Sequence, residues 1–402
     1  MKRARRTVLW LLVSVLVLGG CSLRPPAGGY TVPRPTATPG PAQEPAGTDL
    51  EQILENMTLR EKVGQLFFVA PEALDPEQAA AAERNSGVPG VTRMTEALGN
   101  RLVRYPVGGV VIFEKNIVTG DQLKTFLADL QRSSKTPLLI AADEEGGQVS
   151  RLAAHPALDL PQYPSAMAVG RRGEAAAEEM GRTIGAYLRR YGVLMDFAPV
   201  ADVATNPYNP VIGTRAFSSD PEEASALSGA MARGLASEGV IAVYKHFPGH
   251  GDTAEDSHAL LAVSGKTAEE LRACEWLPYT CNDLSLCAVM VGHIALPAVT
   301  GDEIPASLSE KVVGGILRGE LGFDGLVITD ALAMESVRKN RTSGEVAISA
   351  LRAGCDVLLM PEDLPAAYEA VLRAAEDGSL PESRIDESVR RILRYKALAG
   401  LI

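Results

Sequence analysis

Val240-Ile241-Ala242-Val243-Tyr244-Lys245-His246-Phe247-Pro248-Gly249-His250-Gly251-Asp252-Thr253 passes from an unbroken apolar run into a polar loop jointed by proline and glycine. The first half predicts a strand buried on both faces, because nothing in it alternates between apolar and polar. The second half carries a lysine, two of the five histidines and an aspartate straight off the strand's carboxyl end. A parallel α/β protein keeps its chemistry in that position.

Working outward, similar apolar runs occupy 65–69, 109–113, 138–142, 194–198, 241–245, 288–292, 326–329 and 357–360. Helical patterns separate them: a capping box at Thr58-Leu59-Arg60-Glu61, then 120–133, 174–190, 221–238, 267–275, 309–319, 343–353, 364–377 and 382–399. Eight strands alternating with helices predict an α/β fold, a (β/α)8 TIM-type barrel forming a single catalytic domain. A doubly wound open sheet is the rival, weakened because no G-x-G-x-x-G follows any of the runs. The polar residues favour the barrel as well. Asp143 ends the third run, Asp196 and Asp202 flank the fourth, whose loop reaches Arg215, and Lys245 with His246 ends the fifth. His293 ends the sixth and Asp330 the seventh. All of them fall at carboxyl ends, which in a barrel is one mouth.

The N-terminus predicts compartment. Lys2, Arg3, Arg5 and Arg6 precede an apolar run over 8–18, and Leu18-Gly19-Gly20-Cys21 follows. This is a secretory signal, with a run too short for a membrane span of about 20 residues. Cys21 after small residues has the pattern of a bacterial lipobox, so 1–20 is read as a lipoprotein signal peptide and Cys21 as the lipidated residue. Residues 21–48 contain Pro25, Pro26, Pro33, Pro35, Pro39, Pro41 and Pro45 and read as a semi-extended tether. The barrel takes 49–402. Removal of the four signal cations moves the formal net charge from −11 to −15, which disfavours nucleic acid as a partner. The expected location is extracytoplasmic, on the bacterial cell membrane through a lipid anchor, as a monomer. Cys274, Cys281, Cys287 and Cys355 leave a disulfide open in that compartment, and no C-x-x-C pair marks a structural zinc.

Three groups can carry chemistry. Asp330 leaves an apolar strand into the mouth, as a nucleophile or stabiliser of a developing cation, or as an N-cap of the next helix. Asp256-Ser257-His258 sets a carboxylate two residues from an imidazole, able to support its protonated form as general acid and base, or simply a solvated turn. Asp143, Arg151, Arg215, Lys245 and His246 interleave donors and acceptors, which suits a sugar, with a rim ion pair between Asp143 and Arg215 as the plain alternative. A metal on His246 and His250 needs a helix to aim both rings together, and Pro248, Gly249 and Gly251 oppose one. No metal and no cofactor is called for.

These motifs resemble glycoside hydrolase family 3, in its single-domain β-N-acetylglucosaminidase branch. The resemblance rests on Lys245 to Thr253 with Asp256-Ser257-His258, on Asp143 to Arg151, on Asp196 to Val203, on Asn209 to Arg215 and on Pro305 to Ser309. It implies Asp330 as the nucleophile of a covalent glycosyl-enzyme, His258 as acid/base oriented by Asp256, and Asp143, Arg151, Arg215, Lys245 and His246 as contacts to a terminal N-acetylglucosamine. It implies a retaining exo-β-N-acetylglucosaminidase acting on peptidoglycan fragments (muropeptides) or chitooligosaccharides. Gln148 departs from the arginine of many relatives. The chain ends soon after the eighth strand and its helix, without the second domain from which β-glucosidases of the family draw their acid/base. The remaining readings are a GlcNAc phosphorylase of the same family, since a histidine repels phosphate less than a carboxylate does, and a sugar-binding lipoprotein without catalysis. On the family reading, Pro248, Gly249 and Gly251 divide fixed sugar contacts from a mobile acid/base.

Overall fold

A computed structural model describes residues 50–86, 90–254 and 261–402. Eight strands lie at the predicted places. They are β1 (Phe67–Val69), β2 (Gly109–Ile112), β3 (Leu139–Ala142), β4 (Met195–Asp196), β5 (Ile241–Phe247), β6 (Ala288–Val291), β7 (Val327–Thr329) and β8 (Leu358–Leu359). Each pairs in parallel with its neighbours in chain order: Phe68 with Gly109, Val111 with Ala141, Met195 with Ile241, Val243 with Ala288 and Ile328 with Met290. Phe67 pairs with Leu358, and a bridge from Ile328 to Val357 joins β7 to β8, so the sheet closes into a barrel. Every strand residue is buried. Helices cover one face and the barrel interior the other, which is why the runs carry no alternation.

The helices form where local chemistry starts and stops them. Thr58 accepts from the Glu61 backbone N–H while the Glu61 side chain accepts from the Thr58 N–H. The same reciprocal cap opens Gly120–Ser133 at Thr119 and Ser343–Ala353 at Thr342. Glu174–Tyr191 ends on Gly192 in the left-handed region, with φ 86°. Three differences from expectation stand out. Helices Pro76–Ser86 and Glu96–Arg104 sit between β1 and β2, where none was predicted. The predicted helix over 267–275 covers only Ala268–Ala273. Lys311–Glu320 is wound as a π-helix, and the Leu321 N–H reaches back five residues to the Ile316 carbonyl at 2.9 Å.

Cys274, Cys281, Cys287 and Cys355 are all free thiols, so the disulfide left open by the sequence is not formed among them. Cys287 and Cys355 are buried core residues, and burial pushes each thiol up to about 12, which removes thiolate character. Among the described residues no helix is long and apolar enough to cross a membrane. The predicted signal over 1–20, the tether over 21–48 and Cys21 lie outside the described residues.

Candidate active site

The carboxyl ends of β3 and β5 build the centre of the mouth. Asp143, Glu144 and Glu145 leave β3 in extended backbone, where successive side chains turn to opposite sides. Glu144 points away from the mouth and saturates itself. It accepts from the backbone N–H groups of Arg151 (2.7 Å), Leu152 (2.7 Å) and Ala153 (3.0 Å), from the Tyr187 hydroxyl (2.8 Å) and from the Ser150 hydroxyl. That organises the loop carrying Arg151. Glu145 points the other way and receives three charged donors: Lys245 Nζ at 2.6 Å, and Arg215 through Nε at 2.8 Å and Nη2 at 2.7 Å. Lys245 Nζ also donates to Asp143 Oδ1 at 2.9 Å, and Arg151 Nη2 lies 3.5 Å from Asp143 Oδ2. The Arg151 guanidinium rests over the Phe113 ring at 5.4 Å.

These pairings decide the charge states. Burial would raise Glu145, but Lys245 and Arg215 outweigh it and bring its carboxyl down to about 2. Burial would likewise raise Asp143, and Lys245 with Arg151 holds it below the usual range. Lys245 is 2 % exposed, and its two carboxylates overcome burial and raise its pKa. Asp196 behaves oppositely. It is fully buried, accepts only from the Glu144 backbone N–H at 2.9 Å, and its Oδ2 has no partner among the described residues. Burial, with the nearby Glu144, pushes its pKa well above the ordinary aspartate value, the opposite direction from Asp143 and Glu145.

The Lys245 to Thr253 stretch is held from below by Asp202. Its Oδ2 meets His246 Nδ1 at 2.7 Å and its Oδ1 accepts from the His250 backbone N–H at 2.6 Å. A carboxylate on Nδ1 fixes the tautomer and leaves Nε2 of His246 for an occupant of the mouth. Asn209 braces the same turn, donating to the carbonyls of His250 (2.7 Å) and Thr253 (3.0 Å). Gly251 is buried because a Cβ there would stand 1.7 Å from the Val203 carbonyl oxygen. This glycine answers a close approach of one backbone to another.

Asp330 ends β7. Burial would raise its carboxyl, but His293, His246, the Ala331 N–H (2.7 Å from Oδ1) and Lys245 together keep it below the ordinary range. It is therefore an ionised carboxylate close to the Lys245 ammonium and to the imidazoles of His246 and His293. His293 supports it indirectly: Nε2 donates to the Ala331 carbonyl at 3.0 Å while Nδ1 meets the Ser307 hydroxyl at 2.7 Å. The Pro305 to Ser309 motif thus serves the residue after Asp330. The Lys245–His246, Phe247–Pro248 and Ala198–Pro199 peptides are cis.

Of the residues singled out in the sequence, Asp143, Arg151, Arg215, Lys245, His246 and Asp330 gather at this mouth. Asp256 and His258 lie outside the described residues. Gln148 is exposed. Among the described residues no group of three or more His, Cys, Asp or Glu side chains is placed to hold a metal ion. Glu145 was not foreseen as a site residue, and neither was Asp202 as the partner of His246. Their signal was position alone: Glu145 stands three residues beyond the end of β3, and Asp202 six beyond the end of β4, after the cis Ala198–Pro199 peptide.

Known proteins are similar to this chain over most of its described length. The model of the glycosyl hydrolase family 3 N-terminal domain matches residues 58–395. A β-hexosaminidase of Pseudomonas aeruginosa is 35% identical over 286 residues, spanning 71% of this chain and 84% of the relative. The β-hexosaminidase LpqI of Mycobacterium tuberculosis is 34% identical over 381 residues, spanning 92% and 89%. The structure of a family 3 β-N-acetylglucosaminidase from Paenibacillus sp. FPU-7 superposes with TM-score 0.77 at 37% identity, covering 86% of this chain and 63% of that one.

Proposed function

The chain belongs to glycoside hydrolase family 3, and from that premise we propose that it is a retaining exo-β-N-acetylglucosaminidase. The observation that carries the reading is the ionised Asp330 at the end of β7, beside Lys245, Arg151 and Arg215, which are each paired with Asp143 or Glu145. Lys245, Arg215, Arg151 and His246 offer donors to ring hydroxyls and the acetamido carbonyl, and Asp143 accepts from hydroxyls. In the first step an Asp330 oxygen bonds to the anomeric carbon as the bond to the leaving oxygen breaks, and that oxygen takes a proton from the acid. In the second, water attacks the same carbon, gives its proton to the base and releases Asp330. Two displacements retain configuration. The acid/base in this reading is His258 with Asp256 behind it.

The proposed substrate is a terminal GlcNAc on peptidoglycan fragments, which follows from the expected lipid-anchored, extracytoplasmic placement. Chitooligosaccharides present the same terminal sugar. The test is one assay of nitrophenyl β-GlcNAc against the β-glucoside and β-xyloside. GlcNAc should be preferred by about a hundredfold, the scale of one well-made pocket contact set. Equal rates on the glucoside would remove the acetamido assignment.

A further inference from the structure

The loop after β4 carries at its tip an aromatic ring that the chemistry above does not use. Tyr208 is 89% exposed, and among the described residues it is the one aromatic side chain left largely in water. The other exposed large apolar residues, Val103 at 79% among them, are aliphatic. A single exposed apolar residue is ordinary on a protein surface and means nothing alone. What distinguishes Tyr208 is where its backbone is fixed.

The residues on either side of it are pinned to the turn that follows His246. The Asn206 side-chain oxygen accepts from the Tyr208 N–H at 2.9 Å, and its amide donates to the Thr253 carbonyl at 3.0 Å. The Asn206 backbone N–H donates to the Gly251 carbonyl at 3.1 Å. Asn209 is buried and, besides its donation to the His250 and Thr253 carbonyls, accepts from the N–H groups of Val211 (2.9 Å) and Ile212 (2.7 Å). Its own N–H closes the turn on the Asn206 carbonyl at 3.1 Å, and Pro207 and Pro210 restrict the backbone further. Downstream, the Val211 carbonyl accepts from Arg215 Nη1 at 3.1 Å, and the same guanidinium holds Glu145. The segment therefore meets the mouth twice, through the His250 turn that Asp202 holds and through Arg215, with Tyr208 at the tip between them. A stiff aromatic side chain on a loop already ordered loses little freedom when a ligand covers it.

We infer that Tyr208 is a platform for the sugar on the leaving side of the scissile bond, outside the pocket that takes the terminal GlcNAc. The inference rests on the glycosidase reading above. The side chains of Asp143, Glu145 and Lys245 are 19, 3 and 2% exposed and make the floor that receives the terminal ring. A substrate entering by its non-reducing end directs its remaining rings outward, past the rim. A β-linked GlcNAc ring carries its substituents equatorially, so its faces present axial C–H bonds. Those polarised hydrogens meet the negative face of a tyrosine ring, and stacking removes apolar area on both partners from water. The contact reads the face of a ring and not a single substituent, so its ligand class is β-linked oligosaccharides of two or more pyranose rings.

The experiment compares Tyr208→Ala and Tyr208→Phe with wild type on two substrates, methyl β-GlcNAc and the β-1,4-linked GlcNAc trisaccharide. The methyl aglycone has no ring to stack, whereas a nitrophenyl aglycone would supply one. Tyr208→Ala should lower kcat/KM on the trisaccharide by about tenfold, mainly through KM, which is the scale of one aromatic contact. It should leave the methyl glycoside within about twofold and the melting temperature unchanged. Tyr208→Phe keeps the ring face and should hold the trisaccharide within about twofold of wild type. An unchanged trisaccharide KM in Tyr208→Ala, an equal fall on both substrates, or a loss in Tyr208→Phe as large as in Tyr208→Ala overturns the platform. If the wild type prefers another sugar, the GlcNAc reading fails, and the methyl glycoside and trisaccharide of that sugar still decide the platform.

Discussion

Two buried lysines at opposite ends of the barrel live in opposite surroundings. At the carboxyl end, Lys245 sits between Asp143 and Glu145, and its ammonium is held more firmly than in water. At the amino end, Lys396 of the last helix, Glu382–Leu398, is fully buried and donates to the neutral amide oxygen of Gln65, just ahead of β1. Burial alone brings Lys396 down to about 7. The amino end spends its other cations on structure: Arg318, Arg384 and Arg391 converge on Asp356 at 2.6, 3.5 and 3.2 Å, before β8. One fold therefore pairs its cations with carboxylates at the mouth, and leaves a buried lysine without a counter-charge at the base. Depth of burial does not separate the two lysines; the presence of a counter-charge does.

The sharpest break in this contrast comes from the mouth. Asp330→Asn should lose about 10³-fold or more in turnover with little change in melting temperature, because it removes a nucleophile without removing volume. Steady-state assays and a thermal scan check both halves, and a variant of near-normal turnover would detach the chemistry from β7. Lys245→Met comes next. It leaves Asp143 and Glu145 facing each other without their shared cation, at a cost of about 3–5 kcal/mol readable by urea unfolding. An unchanged midpoint would mean that the carboxylates find another counter-charge. Glu145→Gln keeps shape and loses charge, so Arg215 and Lys245 lose their anchor. KM should rise about tenfold, the worth of a charged hydrogen bond, more than kcat falls.

The base supplies the smallest and most telling effect. The folded state holds Lys396 near 7 and the unfolded chain near its ordinary 10.5. The unfolded state therefore binds more protons between those values, and this residue's contribution to stability improves as pH rises through that window. Lys396→Met should raise the melting temperature by about 2–4 °C at pH 6, lose that advantage towards pH 10, and leave turnover untouched. A gain that did not depend on pH would show that packing, and not the ammonium, is what the wild type pays for.

Much of this was legible in the chain. The eight strands were, because burial on both faces writes them as unbroken apolar runs, and the helices opened by Thr58 and Thr119 were, because their caps are local. Strand ends were less so. The predicted run over 194–198 is a strand only at Met195–Asp196, since beyond it the chain turns to donate from Phe197 to the Ala142 carbonyl and then bridges Val200 to Lys245. The candidate site was legible wherever a polar residue ends a strand, as with Asp143, Lys245 and Asp330. Glu144 and Glu145 hid their roles because adjacent acids in extended backbone give no local sign of which one meets a cation. Only the barrel's closure reveals that Glu144 buries itself in the Arg151 loop while Glu145 joins two cations from other strands. Asp196 misled for the reverse reason, being a strand-end aspartate with no cation in reach of its second oxygen. The cis Lys245–His246 peptide has no sequence mark at all.

The account stands most directly on Asp330 as the residue that bonds to the sugar. Treating the protein with a fluorinated, activated glycoside that forms the glycosyl-enzyme faster than water releases it, then mapping the labelled peptide by mass spectrometry, puts that to the test. The account predicts a single sugar adduct on Asp330, and β-configured GlcNAc as the first product of turnover with an unmodified substrate. An adduct on another carboxylate, or an α-configured first product, would contradict it.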